Sequence, residues 1–123
     1  MTILAWVSYI SLAVHIGSIV GLLVLLILQL KKSPSIVHPG VLHSALTALV
    51  AGLVMVGVRT SLHNEDPTKW ELLNNGKIGV KFVVLLLILF IGYRNVKKTD
   101  VKKSTLYTMI SLTTLNILLA LFW

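Results

Sequence analysis

Four long apolar segments take up almost the whole chain, and short polar segments join them. They cover residues 3–30, 39–58, 78–93 and 106–123. An α-helix needs roughly 17–25 apolar residues to cross a bilayer core about 30 Å thick. The runs 16–30 and 82–91 also lack the polar face that an amphipathic helix on a soluble protein shows. The sequence therefore predicts membrane-spanning helices.

The predicted fold is all-α: a four-transmembrane-helix bundle, antiparallel and up-down-up-down. Residues 1–123 are expected to form one membrane domain, with helices at about 3–30, 39–59, 76–94 and 104–123. Composition agrees, since 56% of the residues are hydrophobic and 12% are charged, against roughly 45–50% and 25% in soluble domains. The chain contains no cysteine, which excludes disulfides and thiolate metal sites.

Basic residues predict the orientation. Seven Lys and Arg fall in or beside the first and third joints, at positions 31, 32, 94, 97, 98, 102 and 103, and four lie around the second, at 59, 69, 77 and 81. Because Lys and Arg near helix ends favour the cytoplasm, loops 31–38 and 94–104 are expected there and both termini outside. The expected location is a bacterial plasma (inner) membrane. Trp6, Trp70 and Trp123 fall near the predicted outer boundary.

Lys77 and Lys81 are the first candidates for a functional site. Their i, i+4 spacing places them on one face of the third helix, and Lys81 lies about 7 Å inside the predicted boundary. At that depth a lysine either snorkels outward, where it contacts water or anionic lipid, or faces the bundle as a cationic site. Together with Asn116 and Arg59, these lysines are candidates for lining a ligand or ion path. Asn116 is also expected to hydrogen-bond across the bundle.

His15 is the candidate for a cofactor ligand, because it lies near the middle of the first helix and ionisable residues there often mark sites. The alternative is a neutral histidine hydrogen-bonded to a neighbouring helix. A haem held by two histidines is disfavoured, since His43 is predicted very roughly 15 Å away in depth. A five-coordinate haem at His15 stays open, but no cofactor is expected. His38 and His43 are five residues apart, not the i, i+4 of helical metal pairs, so no metal site is expected.

Small residues at four-residue spacing predict where helices pack closely. The first helix carries Gly17 and Gly21, and the second carries Ser44, Ala48 and Gly52. We expect these two faces to meet within one chain, with a homodimer seam as the alternative.

A resemblance rests on the third segment, which opens with N-G-K-I-G-V-K-F at residues 75–82 and closes with Y-R-N at 93–95. This pattern resembles small bacterial four-helix membrane proteins that are distantly similar to the CopD-type (copper-resistance D) membrane domain. The resemblance covers most of the chain in layout and the third helix in specific residues. It implies a plasma-membrane bundle. It does not imply copper chemistry, because the chain has three Met and no cluster of Met or His.

No nucleophile–base–acid set occurs in the sequence, so an enzyme is not expected. The predicted function is a binding protein or an accessory subunit of a membrane complex. The alternatives are an oligomeric transporter of small solutes, ions or protons, and a haem- or quinone-binding membrane protein. Expected partners are the lipid bilayer and another membrane protein or a second copy of this chain; nucleic acid is not expected, because the net charge of +7 is concentrated in the joints.

Overall fold

A computed structural model describes residues 2–72 and 75–122, apart from the side chains of Asn75 and Phe122. Within these residues the chain forms four helices: α1 (Ile3–Leu30), α2 (Pro39–Glu65), α3 (Asn75–Asn95) and α4 (Lys103–Phe122). All four are long and apolar enough to cross a membrane. The predicted all-α fold is confirmed. The predicted boundary position of Trp123 lies outside the described residues.

Consecutive helices run antiparallel and form a ring, in which α1 packs on α2, α2 on α3, α3 on α4 and α4 on α1. The backbones of diagonal helices do not approach each other closely within the described residues. We call the end that carries loops 31–38 and 96–102 the basic end, and the end that carries residues 66–72 and the start of α1 the Trp70 end. The two corresponding halves of the bundle are the basic half and the Trp70 half.

Helix α2 begins as the sequence predicts and ends later. Pro39 occupies its first turn, and the His38 side chain accepts a hydrogen bond from the Gly40 backbone N–H. The predicted end at residue 59 is wrong, because α2 continues to Glu65. Leu62 is completely buried in the added turns, in a small cluster with Ala5 and Trp70. Burial of this side chain stabilises the added helical turns. The composition of residues 60–65 alone did not indicate a helix.

At the basic end, side chains and loops close the bundle. The buried Gln29 accepts a hydrogen bond from the Ile36 backbone N–H through Oε1. The Val101 backbone N–H donates to the Ser35 carbonyl oxygen at 2.7 Å, which joins the first loop to the third. The side chains of Val37 and Val101 extend the core into these loops.

Candidate functional site

The side chains inside the bundle change from apolar to partly polar about halfway along its length. In the basic half, each helix has a row of buried apolar side chains that faces the other helices, and we call these rows the inward stripes. They include Ile19, Leu22, Leu26, Val41, Ala45, Val84, Leu85, Ile88, Leu106 and Met109. Toward the Trp70 end, the next residues at helical spacing on these stripes are polar. His15 precedes Ile19 by four residues on α1, and Asn116 follows the buried Thr113 by three on α4.

Both lysines of α3 lie on its inward stripe. Lys81 precedes the buried Leu85 by four residues, and Lys77 precedes Lys81 by four. Both are half-buried, whereas Val80 and Val83 between and beyond them are exposed. This placement favours the cationic site facing the bundle, the second of the two alternatives that the sequence left for Lys81.

Residue counts along the helices place His15, Lys81 and Asn116 at similar distances from the basic end. Lys103 contacts the Leu30 carbonyl oxygen, which aligns α1 with α4 at the basic end. At about 1.5 Å per residue, His15 is then about 22 Å and Asn116 about 20 Å from that contact, and Lys81 is about 21 Å from the end of α3 at Asn95. The three side chains therefore belong to one layer of the bundle, although they come from three helices.

His15 is oriented by α2. Its Nδ1 donates a hydrogen bond to the Ala48 carbonyl oxygen at 2.6 Å, and its ring passes 3.5 Å from the place where a side chain on Gly52 would begin. The predicted hydrogen bond to a neighbouring helix is thus confirmed. Since Nδ1 carries the proton in this bond, Nε2 of the neutral ring is an acceptor, and it makes no hydrogen bond with the described residues.

Asn116 is buried, with 8% of its surface exposed, and its Oδ1 has no hydrogen-bond partner among the described residues. The predicted hydrogen bond across the bundle is therefore wrong for this oxygen. The Thr113 hydroxyl, three residues earlier on α4, donates to the Met109 carbonyl oxygen of its own helix, and the His15 Nδ1 proton is used in the bond to α2. A buried amide oxygen without a donor costs roughly 1–3 kcal/mol, which makes it a natural place for a ligand donor to bind.

A cluster around Trp70, which we call the Trp70 cap, covers the bundle near this layer. The Trp70 ring is tilted against the Tyr9 ring, with centroids 5.4 Å apart, and the Arg59 guanidinium lies 5.3 Å from its centre. Lys69 contacts both rings, at 5.6 and 5.9 Å. His63 Nδ1 donates to the Trp70 carbonyl oxygen at 2.8 Å. Sequence reasoning missed this cluster, because its members come from α1, α2 and the loop.

Arg59 is held by the Trp70 cap. Its guanidinium donates to the Glu71 carbonyl oxygen at 3.3 Å, and its buried Nε has no partner in the described part of the chain. It is about two helical turns from the layer of His15, so it belongs to the entrance of the candidate site.

The acids of this end lie outside the bundle. Glu65, Asp66 and Glu71 are exposed, and none of them forms an ion pair with Arg59 or Lys81 in the described residues. The Thr68 hydroxyl and the Lys69 backbone N–H both donate to Asp66, and they hold the pKa of its carboxyl below the usual value. Residues 67–69 form a turn directly after Asp66.

The small residues of α1 and α2 meet in part. A side chain on Gly21 would begin 3.8 Å from the Ser44 hydroxyl, and Gly52 and Ala48 contact His15. Gly17 is not part of this contact, because a side chain there would meet nothing within 4 Å. It lies about 200° around α1 from His15 and so faces away from α2.

Within residues 2–72 and 75–122, no group of three or more His, Asp or Glu side chains could hold a metal ion. His43, at the basic end of α2, is exposed.

Comparison of the chain with known protein families, with curated proteins and with solved structures gives no match. The layer of His15, Lys81 and Asn116 is therefore interpreted from its own chemistry.

Proposed function

We propose that this chain is a small multi-pass membrane protein that binds an anionic ligand inside its Trp70 half. Lys81 supplies the positive charge and contacts the anionic group. His15 Nε2 and Asn116 Oδ1, both acceptors, can contact a protonated group where the ligand carries one, but the charge is the feature required for binding.

The main support for the proposal is that the charged side chains on the inward stripes are positive. Arg59 and Lys81 lie on these stripes, while the described acids of the same end are all exposed. Cations inside a low-dielectric bundle are costly unless a partner neutralises them. An anion that enters from the Trp70 end would reduce this cost, and the reduction would favour its binding.

The apolar packing of the basic half favours ligand binding over ion conduction across the membrane. Between the level of Lys81 and Gln29 the inward stripes carry mainly apolar side chains, and Leu22, Leu26, Ile88, Leu106 and Met109 are completely buried there. No described charged side chain continues the route toward the basic end along these stripes. An ion that reached Lys81 would therefore meet a packed hydrocarbon barrier, which is unlike the polar lining of a path across the membrane.

We further propose that the Trp70 end faces the outside of a bacterial plasma membrane and that the basic loops face the cytoplasm. The distribution of Lys and Arg supports this orientation. Assembly as an accessory subunit with another membrane chain, or with a second copy, fits the same site and stays a prediction. The same holds for haem or quinone binding and for kinship with the CopD-type domain.

The test uses octanoate, an anion with an apolar chain, and octanol, its uncharged counterpart. Purified protein in a neutral detergent is titrated with each, and thermal unfolding is followed. We expect octanoate to raise the unfolding temperature more than octanol does. Lys81→Gln should weaken octanoate binding by about tenfold or more, the usual size of a lost charge-assisted hydrogen bond.

Lys31→Gln is the matched control, because it removes one exposed positive charge at the other end of the protein. It should leave octanoate binding unchanged, and the charge-keeping Lys81→Arg should bind nearly as well as the native chain. Equal stabilisation by octanoate and octanol, or undiminished binding by Lys81→Gln, would contradict the proposal.

A further inference from the structure

A second, separate groove lies at the basic end, on the outside of the bundle between α3 and α4. Its volume is about 320 Å³. Its apolar lining residues are Phe90 and Ile91, and its basic ones are Arg94 and Lys98. Asn95, Thr105 and Thr108 complete the lining. The groove is far from Lys81 and plays no part in the site proposed above.

The basic groups of the groove are available to a ligand. Arg94 and Lys98 are exposed, and neither forms an ion pair within the described residues. The Arg94 guanidinium lies 5.6 Å from the centre of the Phe90 ring, so the ring orients it without neutralising it. The backbone N–H of Lys98 donates to the Asn95 carbonyl oxygen at 3.1 Å, which turns the loop back over the end of α3.

Among the uncharged groups, the Thr105 hydroxyl is available as a donor. The Asn95 amide donates to the Ile91 carbonyl oxygen at 2.7 Å, and the Thr108 hydroxyl donates to the Ser104 carbonyl oxygen at 2.9 Å. The Thr105 hydroxyl makes no hydrogen bond with the described residues. The only acid of this loop, Asp100, is not part of the lining. Two cations and a hydroxyl donor suit a phosphate group.

An exposed apolar stripe leads from the groove along α3. Val83, Leu87, Phe90 and Arg94 follow one another at spacings of four, three and four residues, so they share one face of the helix. The first three are 45–58% exposed. In a bilayer this face contacts acyl chains, and it ends at the depth where phosphate groups lie. A free phosphate would not contact this apolar stripe. A phospholipid would contact the cations through its phosphate and the stripe through an acyl chain.

We propose that this groove binds an anionic phospholipid, with its phosphate between Arg94 and Lys98 and an acyl chain along Phe90, Leu87 and Val83. Basic pockets between helices at the cytoplasmic side are typical places for anionic headgroups. The groove binds one lipid in a defined position, in contrast to the diffuse attraction of the other cations of this end.

The test measures lipid bound to the intact protein by native mass spectrometry, after reconstitution with equal amounts of phosphatidylglycerol and phosphatidylcholine. We expect one phosphatidylglycerol per chain in preference to phosphatidylcholine. The double variant R94Q/K98Q should reduce its apparent affinity by on the order of tenfold, because each cation near a membrane surface attracts anionic lipid.

The variant K31Q/K32Q is the matched control, since it removes the same charge from the other basic loop. It should stay within about twofold of the native chain if the groove, and not the total charge, binds the lipid. R94K/K98R should retain binding. Because Lys98 is an exposed loop residue, K98Q alone provides the same comparison if the double variant does not fold.

Three outcomes would overturn the proposal. Equal retention of phosphatidylcholine would show that the headgroup charge is not recognised. Equal losses in R94Q/K98Q and K31Q/K32Q would show diffuse attraction. Displacement of the lipid by millimolar inorganic phosphate would identify the ligand as a free phosphate.

Discussion

Side chains of α2 and α4 both pack against Gly92 of α3. A side chain there would begin 2.9 Å from Leu42 on α2 and 3.2 Å from the end of Met109 on α4. The absence of a side chain lets both long residues pack against the α3 backbone. Gly79, on the same helix, has nothing within 4 Å, so the two glycines have opposite roles in packing.

This difference gives a prediction for a matched pair of substitutions. Gly92→Val should lower the free energy of unfolding by about 2 kcal/mol, because the added methyl groups overpack the contact with Leu42 and Met109. Gly79→Val should change it by less than about 0.5 kcal/mol. Unfolding in mixed detergent micelles measures both. Similar losses for the two variants would mean that Gly92 is not a close contact.

At the scale of the elements, Lys103 joins two helices. It stands in the first turn of α4, where a cation is unfavourable to the helix dipole. Its ammonium donates to the Leu30 and Lys32 carbonyl oxygens, at 2.6 and 3.2 Å, and to the Ser35 hydroxyl at 3.4 Å. It therefore caps the end of α1, which has no basic residue in its own last turn.

Lys103→Met should destabilise the protein by about 1 kcal/mol, since the loss of charged hydrogen bonds outweighs the relief at the start of α4. The expected decrease of the unfolding temperature is about 4 °C. Lys102→Met removes the neighbouring exposed charge and should have little effect. If both variants unfold at the same temperature as the native chain, the cap of α1 by Lys103 adds no stability.

On the scale of the whole molecule, each end has its own charge pattern and its own proposed site. The Trp70 end carries three exposed acids and the proposed entrance to the Lys81 layer. The basic end carries the groove that we propose binds a phospholipid. Both proposals depend on one orientation in the membrane, for which the distribution of Lys and Arg predicts a cytoplasmic basic end.

Cysteine labelling tests this orientation without background, because the chain has no cysteine of its own. Asn64 and Thr99 are exposed and lie at opposite ends of the bundle. In intact cells, a membrane-impermeant maleimide should label N64C and not T99C, and permeabilisation should expose T99C.

The reverse pattern would invert the orientation and leave the fold in place. Labelling of both variants from the same side would contradict four antiparallel spans.

The sequence by itself determined the number of helices and their membrane character, because apolar length is a property of each segment alone. It also identified Lys81, Asn116 and His15 as polar residues within these apolar segments. It failed at the end of α2, where burial of Leu62 under Trp70 stabilises six more helical residues.

Only the tertiary structure decided which way the polar residues face and which of them share a level. His15 and Ala48 are 33 residues apart along the chain and hydrogen-bonded in space, and Arg94 and Thr105 meet in one groove. Helical periodicity predicts a face of one helix but not the neighbour that covers it. The neighbour depends on how four helices rotate against one another, and that rotation is fixed by packing contacts such as Gly92 against Leu42.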